Sequence, residues 1–186
     1  MRYEVVELDA HFDGDGISYA HDRRDGSFNV WGNTFPAETL PPGRSTVAVG
    51  GVPFRFPSKD DGALNNLSCA GQTIDVTPGV YDWIYVLGAS ERRSEDLVAL
   101  HFLSGAVEYE WLRLSDFWPQ TAPRFGELEA FRCPHMHYPR HTQEGFAPVI
   151  WRQRVAVGRS EPLARIVLPD NVAMHLFAMT MVRPPA

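Results

Sequence analysis

Short apolar or alternating segments recur along the chain between turn-forming residues, which is the hydrophobic pattern of β-strands. Clusters such as Pro41-Pro42-Gly43 supply the restricted or positive φ angles that turns need. The i, i+3, i+4, i+7 spacing of an amphipathic helix is not seen over any helix-length window. The pattern predicts ten strands, over residues 46–49, 52–56, 72–76, 83–87, 97–103, 106–114, 127–131, 148–157, 163–168 and 174–182.

Three of these segments support more specific predictions about their place in a sheet. Between Val107 and Trp111 apolar and acidic residues alternate, as in a sheet with one solvated face, and the apolar positions then change parity at Leu112. A β-bulge near Trp111 would explain that change. Residues 163–168 and 174–181 are apolar at nearly every position, which predicts central strands covered on both faces.

Many short strands without crossover helices predict an all-β protein. The expected architecture is an antiparallel β-sandwich, and a barrel is the other arrangement that this pattern favours. No internal repeat or low-complexity linker divides the chain, so we expect a single domain over residues 1–186.

Composition narrows the range of partners and compartments. The 186 residues are 44% hydrophobic, and the formal net charge of −6 disfavours binding to nucleic acid or to a membrane surface. The N-terminal residues lack the apolar stretch of a secretion signal, so we expect a cytoplasmic protein, or a secreted one if a leader precedes Met1. Cys69 and Cys133 are expected to be reduced thiols.

The first 45 residues are rich in Gly and Asp, including Asp13-Gly-Asp15-Gly and Asp25-Gly. Long loops in compact domains are often functional. Carboxylates and glycine-exposed carbonyls can bind a structural Ca²⁺, although the third acidic position and closing Glu of an EF-hand are missing. The same residues are also typical of Asx-turns in a solvated loop, and the sequence leaves both interpretations open.

A second candidate site is the segment from Arg132 to His141. His135 and His137 are two residues apart and would point to the same side of a strand, as a pair of metal ligands must. With Glu144 and His175 they suggest the arrangement of a cupin, but the spacing to Glu144 is too long. Pro134 and Pro139 favour an irregular polar loop.

Aromatic residues form a third candidate site. Trp111, Trp151 and Trp83 fall within predicted strands, whereas Trp31 and Trp118 lie in Gly- or Pro-rich segments and are expected at the surface. Exposed aromatic rings beside polar groups suit a sugar, whose C–H face packs on a ring. The predicted ligand-binding residues are Trp31, Trp118, Tyr138, Arg132 and His137.

Several segments together resemble the galactose-binding-like β-sandwich modules that are appended to bacterial glycoside hydrolases. They include Phe12-Asp-Gly-Asp-Gly-Ile17, Phe35-Pro-Ala-Glu38, Gly51-Val-Pro-Phe54, Tyr81-Asp-Trp-Ile-Tyr-Val-Leu87-Gly88, Leu114-Ser-Asp116-Phe-Trp118 and Leu168-Pro-Asp170-Asn171. The resemblance implies a jelly-roll sandwich, a carbohydrate-binding role and a structural calcium ion. It makes Asp13, Asp15 and Asp170 the expected metal ligands.

Three functions follow from these observations. The first is a module that binds a carbohydrate or another small ligand and holds a structural calcium. The second is a small intracellular enzyme on the same fold, with His135, His137, His141, Arg132 and Tyr138 in acid–base or metal-assisted chemistry. The third is a structural subunit whose apolar strand faces pair in a homodimer.

Overall fold

Strands dominate the structure, a computed structural model that describes residues 2–118 and 122–185. Within these ranges, three short 3-10 helices cover Asp9–His11, Ala20–Asp22 and Ala37–Thr39, and no helix is long and apolar enough to cross a membrane. The strands are β1 (Arg2–Val6), β2 (Ile17–Ser18), β3 (Phe35–Pro36), β4 (Thr46–Val49), β5 (Val52–Arg55), β6 (Leu67–Ala70), β7 (Thr73–Gly79), β8 (Trp83–Ser90), β9 (Ser94–Phe102), β10 (Val107–Leu114), β11 (Leu128–Arg132), β12 (His135–Tyr138), β13 (His141–Glu144), β14 (Val149–Ala156), β15 (Leu163–Val167) and β16 (Asp170–Arg183).

Two antiparallel sheets form the sandwich. The larger has six strands in the order β1-β16-β8-β14-β11, with β6 also paired to β16, and the smaller has the order β10-β9-β15-β7. The pairs β4-β5 and β12-β13 are separate hairpins, and β2 pairs with β3 in parallel. All ten predicted segments form strands, so the predicted antiparallel β-sandwich is confirmed.

The six-stranded sheet is buried on both faces. Met179 and Ile84 point into the core between the two sheets. Phe177 and Leu87 point the other way, into a second apolar cluster completed by the N-terminal third of the chain, including Phe35. This double burial explains the nearly uniform apolar sequence of β16 and confirms its prediction as a strand covered on both faces.

The same prediction is wrong for β15. Leu163 and Ile166 face the core, but Arg165 is exposed on the outer face of the smaller sheet. A register shift between Leu163 and Arg165 lets β15 depart from strict alternation. Its apolar run therefore reflects one buried face and a local irregularity.

The predicted bulge in β10 is absent. β10 pairs with β9 without interruption from Val107 to Leu114. Tyr109 and Trp111 lie exposed on the outer face, while Leu112 faces the core. The parity changes because the apolar residues lie on the outer face up to Trp111 and on the core face from Leu112. A homodimer through the exposed face stays a prediction.

Candidate functional site

A cavity of about 410 Å³ opens where loops from both sheets meet the N-terminal segment. Its walls combine aromatic rings with polar and charged side chains. Trp31 and Trp118 both lie there, 71% and 47% exposed, as expected from their sequence context. The aromatic residues that line the cavity are Trp31, Phe117, Trp118, Tyr138 and Phe146.

A tight turn holds Trp31. The Asn29 carboxamide oxygen accepts a hydrogen bond from the Trp31 backbone N–H at 3.0 Å, and the Asn29 carbonyl accepts one from the Gly32 N–H at 2.8 Å. Gly32 has a φ of 66°, a left-handed conformation that glycine adopts without strain. This local chemistry presents the indole of Trp31 to solvent at the mouth of the cavity.

A second turn, in the segment between β10 and β11, holds Trp118. The Asp116 carboxylate accepts the Trp118 backbone N–H at 2.9 Å, and the Trp118 ring packs 4.0 Å from the ring of Phe146, centroid to centroid. The backbone N–H of Phe117 donates to the carbonyl of Ser90 at the end of β8. The segment after β10 is therefore fixed to the larger sheet.

Asn33 gives the cavity a buried polar group with unused hydrogen-bonding capacity. Its side-chain N–H donates to the Tyr138 hydroxyl at 3.3 Å. Asn33 is only 1% exposed, and its Oδ1 has no hydrogen-bond partner among the described residues. An unpaired buried acceptor is costly, so this oxygen is suited to a donor from a bound ligand.

Three charged residues complete the lining: Glu91, Arg92 and Asp116. Burial raises the pKa of the Asp116 carboxyl above its ordinary value of 3.8, and the neighbouring Glu91 raises it further. The Trp118 N–H and the Arg92 guanidinium oppose this rise. The cavity thus holds a partly desolvated carboxylate whose charge the fold itself disfavours.

Glu91 is connected to the protein interior through His175. The His175 Nε2 lies 3.6 Å from a Glu91 carboxylate oxygen, and its Nδ1 lies 3.0 Å from Asn66 Oδ1. Asn66 donates its own side-chain N–H to Asn65, so Asn66 Oδ1 acts as an acceptor and His175 Nδ1 carries the hydrogen. Phe28 packs on the imidazole at 4.3 Å, which restricts its motion.

The raised pKa of Asp116 leads to a prediction about stability. A carboxyl whose folded pKa exceeds its unfolded value binds its proton more tightly in the folded state, so stability falls as pH rises through the folded pKa. Asp116→Asn keeps an oxygen acceptor for the Trp118 N–H and removes this charge. We expect the melting temperature of the variant, measured relative to that of wild type at the same pH, to increase as pH rises from about 3 to about 6. A melting-temperature difference that stays constant over that range would contradict the assignment.

Two of the five predicted ligand-binding residues do not line this cavity. Arg132 lies on β11, where its guanidinium binds the carboxylate of Glu129 and the carbonyl of Ala147. His137 is fully buried, with Nδ1 3.3 Å from Ser18 Oγ, and its Nε2 has no hydrogen-bond partner in the described ranges. Burial lowers the pKa of His137. The structure brings together only Trp31, Trp118 and Tyr138.

The histidine segment forms a hairpin instead of an irregular loop. Pro134 and Pro139 flank β12 and need not donate within it, so the strand pairs with β13 from His135 to Tyr138. The His135 and His137 rings lie on the same side of β12, as their spacing predicts, with their centroids 5.3 Å apart.

The other groups of this candidate site are separated. Glu144 is 4.0 Å from His135, and His141 stacks on Tyr138. His175 lies elsewhere, in contact with Asn66 and Glu91. In the described ranges no three His, Cys, Asp or Glu side chains are grouped to hold a metal ion. Catalysis by His135, His137, His141, Arg132 and Tyr138 stays a prediction.

The acidic N-terminal loop is held by protein donors. Asp13 accepts the backbone N–H of Ser68 at 2.8 Å, and Asp15 accepts the Asn65 side-chain N–H at 2.6 Å. Asp170 is exposed at the start of β16, opposite Ala70. These two hydrogen bonds join distant parts of the chain, whereas the Ile17 N–H, 3.5 Å from Asp15 Oδ1 and two residues after it, is the local contact of an Asx-turn. Calcium binding by Asp13, Asp15 and Asp170 stays a prediction, which melting with added Ca²⁺ and with a chelator tests directly.

Both cysteines are buried and unpaired in the described structure. Burial raises the pKa of Cys69 to about 12 and that of Cys133 to about 11. Neither thiol is a reactive nucleophile in such surroundings.

Sequence reasoning missed most of the polar lining, namely Asn29, Asn33, Glu91, Arg92 and Asp116. Two of them had a local signal: Asn29 and Asp116 each stand two residues before an exposed Trp, at the position of an Asx-turn. Glu91 and Arg92 follow a predicted strand as ordinary turn residues, and only the fold places them beside the aromatic rings.

Comparison with known proteins gives one result about the family. The model of the AziU2-like beta-sandwich domain family matches residues 2–185, almost the whole chain. A search of curated proteins found no match. The match agrees with the observed sandwich, while the resemblance to modules of glycoside hydrolases is not confirmed.

Proposed function

The chain belongs to the AziU2-like β-sandwich domain family, and from this premise we propose that it binds a small polar molecule in the cavity between Trp31 and Trp118. The observation that carries the proposal is the lining itself, in which exposed aromatic rings stand beside an unpaired buried amide oxygen. A concave site with apolar walls and a few convergent polar groups is the usual form of a small-molecule site.

Carbohydrates and similar polyols are the ligands that this lining fits best. Trp31 and Trp118 offer indole faces for the C–H side of a ring, and hydroxyl groups could donate to Asn33 Oδ1 or to Asp116. A volume of about 410 Å³ is sufficient for one or two sugar rings. We therefore place a sugar-like ligand in this cavity.

The test is binding measured on the indole N–H signals of labelled protein during titration with monosaccharides. Ligand should shift the signals of Trp31 and Trp118, each assigned through its Phe variant. Trp118→Ala removes a ring that packs on Phe146, and we expect affinity to fall about tenfold or more.

Trp111→Ala is the matched control, because this exposed Trp lies on the outer face of β10, outside the cavity. The control should bind as the wild type does. Equal losses in the Trp111 and Trp118 variants would contradict the proposed site, as would a complete absence of shifts at Trp31 and Trp118.

A further inference from the structure

We propose that the cavity selects a ligand that carries a positive charge, most simply a protonated amine on a sugar-like ring. This inference rests on the proposed function and adds the chemical class of the ligand. Two carboxylates, Glu91 and Asp116, share the lining with one guanidinium, Arg92, and with the rings of Trp31 and Trp118.

The aromatic rings favour a cation as well as a neutral sugar. The face of an indole carries the negative part of the ring quadrupole, which attracts an ammonium group placed over it. Trp31 and Trp118 both line the cavity, so an amine bound there meets both π-systems and carboxylate oxygens. A neutral sugar would reach the same carboxylates only through hydroxyl hydrogen bonds, without the added attraction between opposite charges.

The backbone of Glu91 is fixed at the rim of the cavity. The backbone N–H of Glu91 donates to the Ala173 carbonyl at 2.9 Å, and its carboxylate lies 3.6 Å from the buried His175. With its hydrogen on Nδ1, His175 packs beside this carboxylate without donating to it, and its Nε2 has no hydrogen-bond partner among the described residues. The backbone hydrogen bond to Ala173 is what sets Glu91 at the cavity before a ligand arrives. Preorganised charge contributes more to binding than charge on a mobile side chain.

Asp116 supplies the second carboxylate at a cost in stability. Its burial and the nearness of Glu91 both disfavour its negative charge in the free protein. An ammonium group beside it would relieve both effects, because an opposite charge favours the ionised form. Arg92 opposes a cationic ligand, but its side chain is exposed and better screened by solvent than the carboxylates.

Asn33 gives an observation that is independent of the acidic residues. Asn33 lines the same cavity, and its buried Oδ1 lacks a hydrogen-bond partner among the described residues. An ammonium group donates several hydrogen bonds and accepts none. The unpaired acceptor and the two carboxylates therefore call for the same kind of group, a donor that carries positive charge.

The experiment compares glucose, glucosamine and glucuronate, whose rings match and whose charges differ. Affinity is measured from the indole N–H shifts of Trp31 and Trp118 at neutral pH and low salt. We expect glucosamine to bind about tenfold more tightly than glucose, with glucuronate weakest, and the preference to shrink as salt is added. Glu91→Gln should remove most of the preference, measured as the ratio of glucosamine to glucose affinity in the same variant.

Glu95→Gln is the matched control, because Glu95 pairs with Arg113 on the surface of the smaller sheet and does not line the cavity. It changes the net charge by the same amount and should leave the preference intact. Equal affinity for all three sugars, or a preference for glucuronate, would overturn the charge selection and leave the proposed function standing. No binding of any of the three would overturn the proposed function itself.

Discussion

Trp151→Ala is expected to lower the free energy of unfolding by about 3–5 kcal/mol, a typical cost of truncating a buried aromatic residue. Trp151 is fully buried on β14, within the core between the two sheets. It stands opposite Gly88 in the register of β8. Urea unfolding followed by circular dichroism measures the change.

Trp151 also connects the core to the candidate site through a hydrogen bond. The indole N–H of Trp151 donates to the backbone carbonyl of Asp116 at 3.1 Å. Trp151→Phe keeps an aromatic ring in the core but removes this donor and part of the indole volume, so we expect a smaller loss of about 1–2 kcal/mol. Ligand affinity should fall in the Phe variant because Asp116 is less firmly held. A loss below about 1 kcal/mol for Trp151→Ala would show that the core does not depend on this ring.

The sandwich could be predicted because its strands depend on local patterns. β16 is a long, mostly apolar segment, and β14 begins with three buried apolar residues. Such segments are stable only inside a layered core. The short strands were missed: β2 and β3 have two residues each, and β12 stands between two prolines. β1 and β6 were also missed, and both pair with β16 in a distant part of the chain, which a local pattern does not contain. β12 forms a local hairpin with β13, which the flanking prolines concealed.

The candidate site could be predicted only in part. Exposure of Trp31 and Trp118 followed from the turn residues around them. Their convergence on one cavity did not, since the two rings are far apart in sequence and are brought together by the second apolar cluster. The contact between Glu91 and His175 was invisible for the same reason, because it joins the end of β8 to the middle of β16.

Asn65→Ala is expected to lower the free energy of unfolding by about 2–3 kcal/mol, because it breaks a buried network and leaves polar groups unpaired. Asn65 is fully buried and uses its whole side chain. Its oxygen accepts the Gly16 N–H at 2.8 Å, and its nitrogen donates to Asp15 at 2.6 Å and to the Ala63 carbonyl at 3.0 Å. Chemical unfolding compared with wild type measures the loss.

Asn65→Asp tests the role of the side-chain nitrogen separately from that of the oxygen. The aspartate keeps an acceptor for the Gly16 N–H but places a second carboxylate against Asp15, whose pKa burial already raises. We expect this variant to be less stable at pH 7 than at about pH 4, where the two carboxyl groups can share a proton. A loss that does not change with pH would mean that Asp15 is not the partner that matters.

The Asn65 variants also connect stability to ligand choice. Asn65 accepts the side-chain N–H of Asn66 at 3.1 Å, and Asn66 in turn orients His175 beside Glu91. Losing the first contact should let the His175 ring shift from its place beside the Glu91 carboxylate, so Asn65→Ala should reduce the preference for glucosamine over glucose in protein that remains folded. An unchanged preference would show that Glu91 is held by its backbone alone. The acidic N-terminal loop would then support the fold without influencing the cavity.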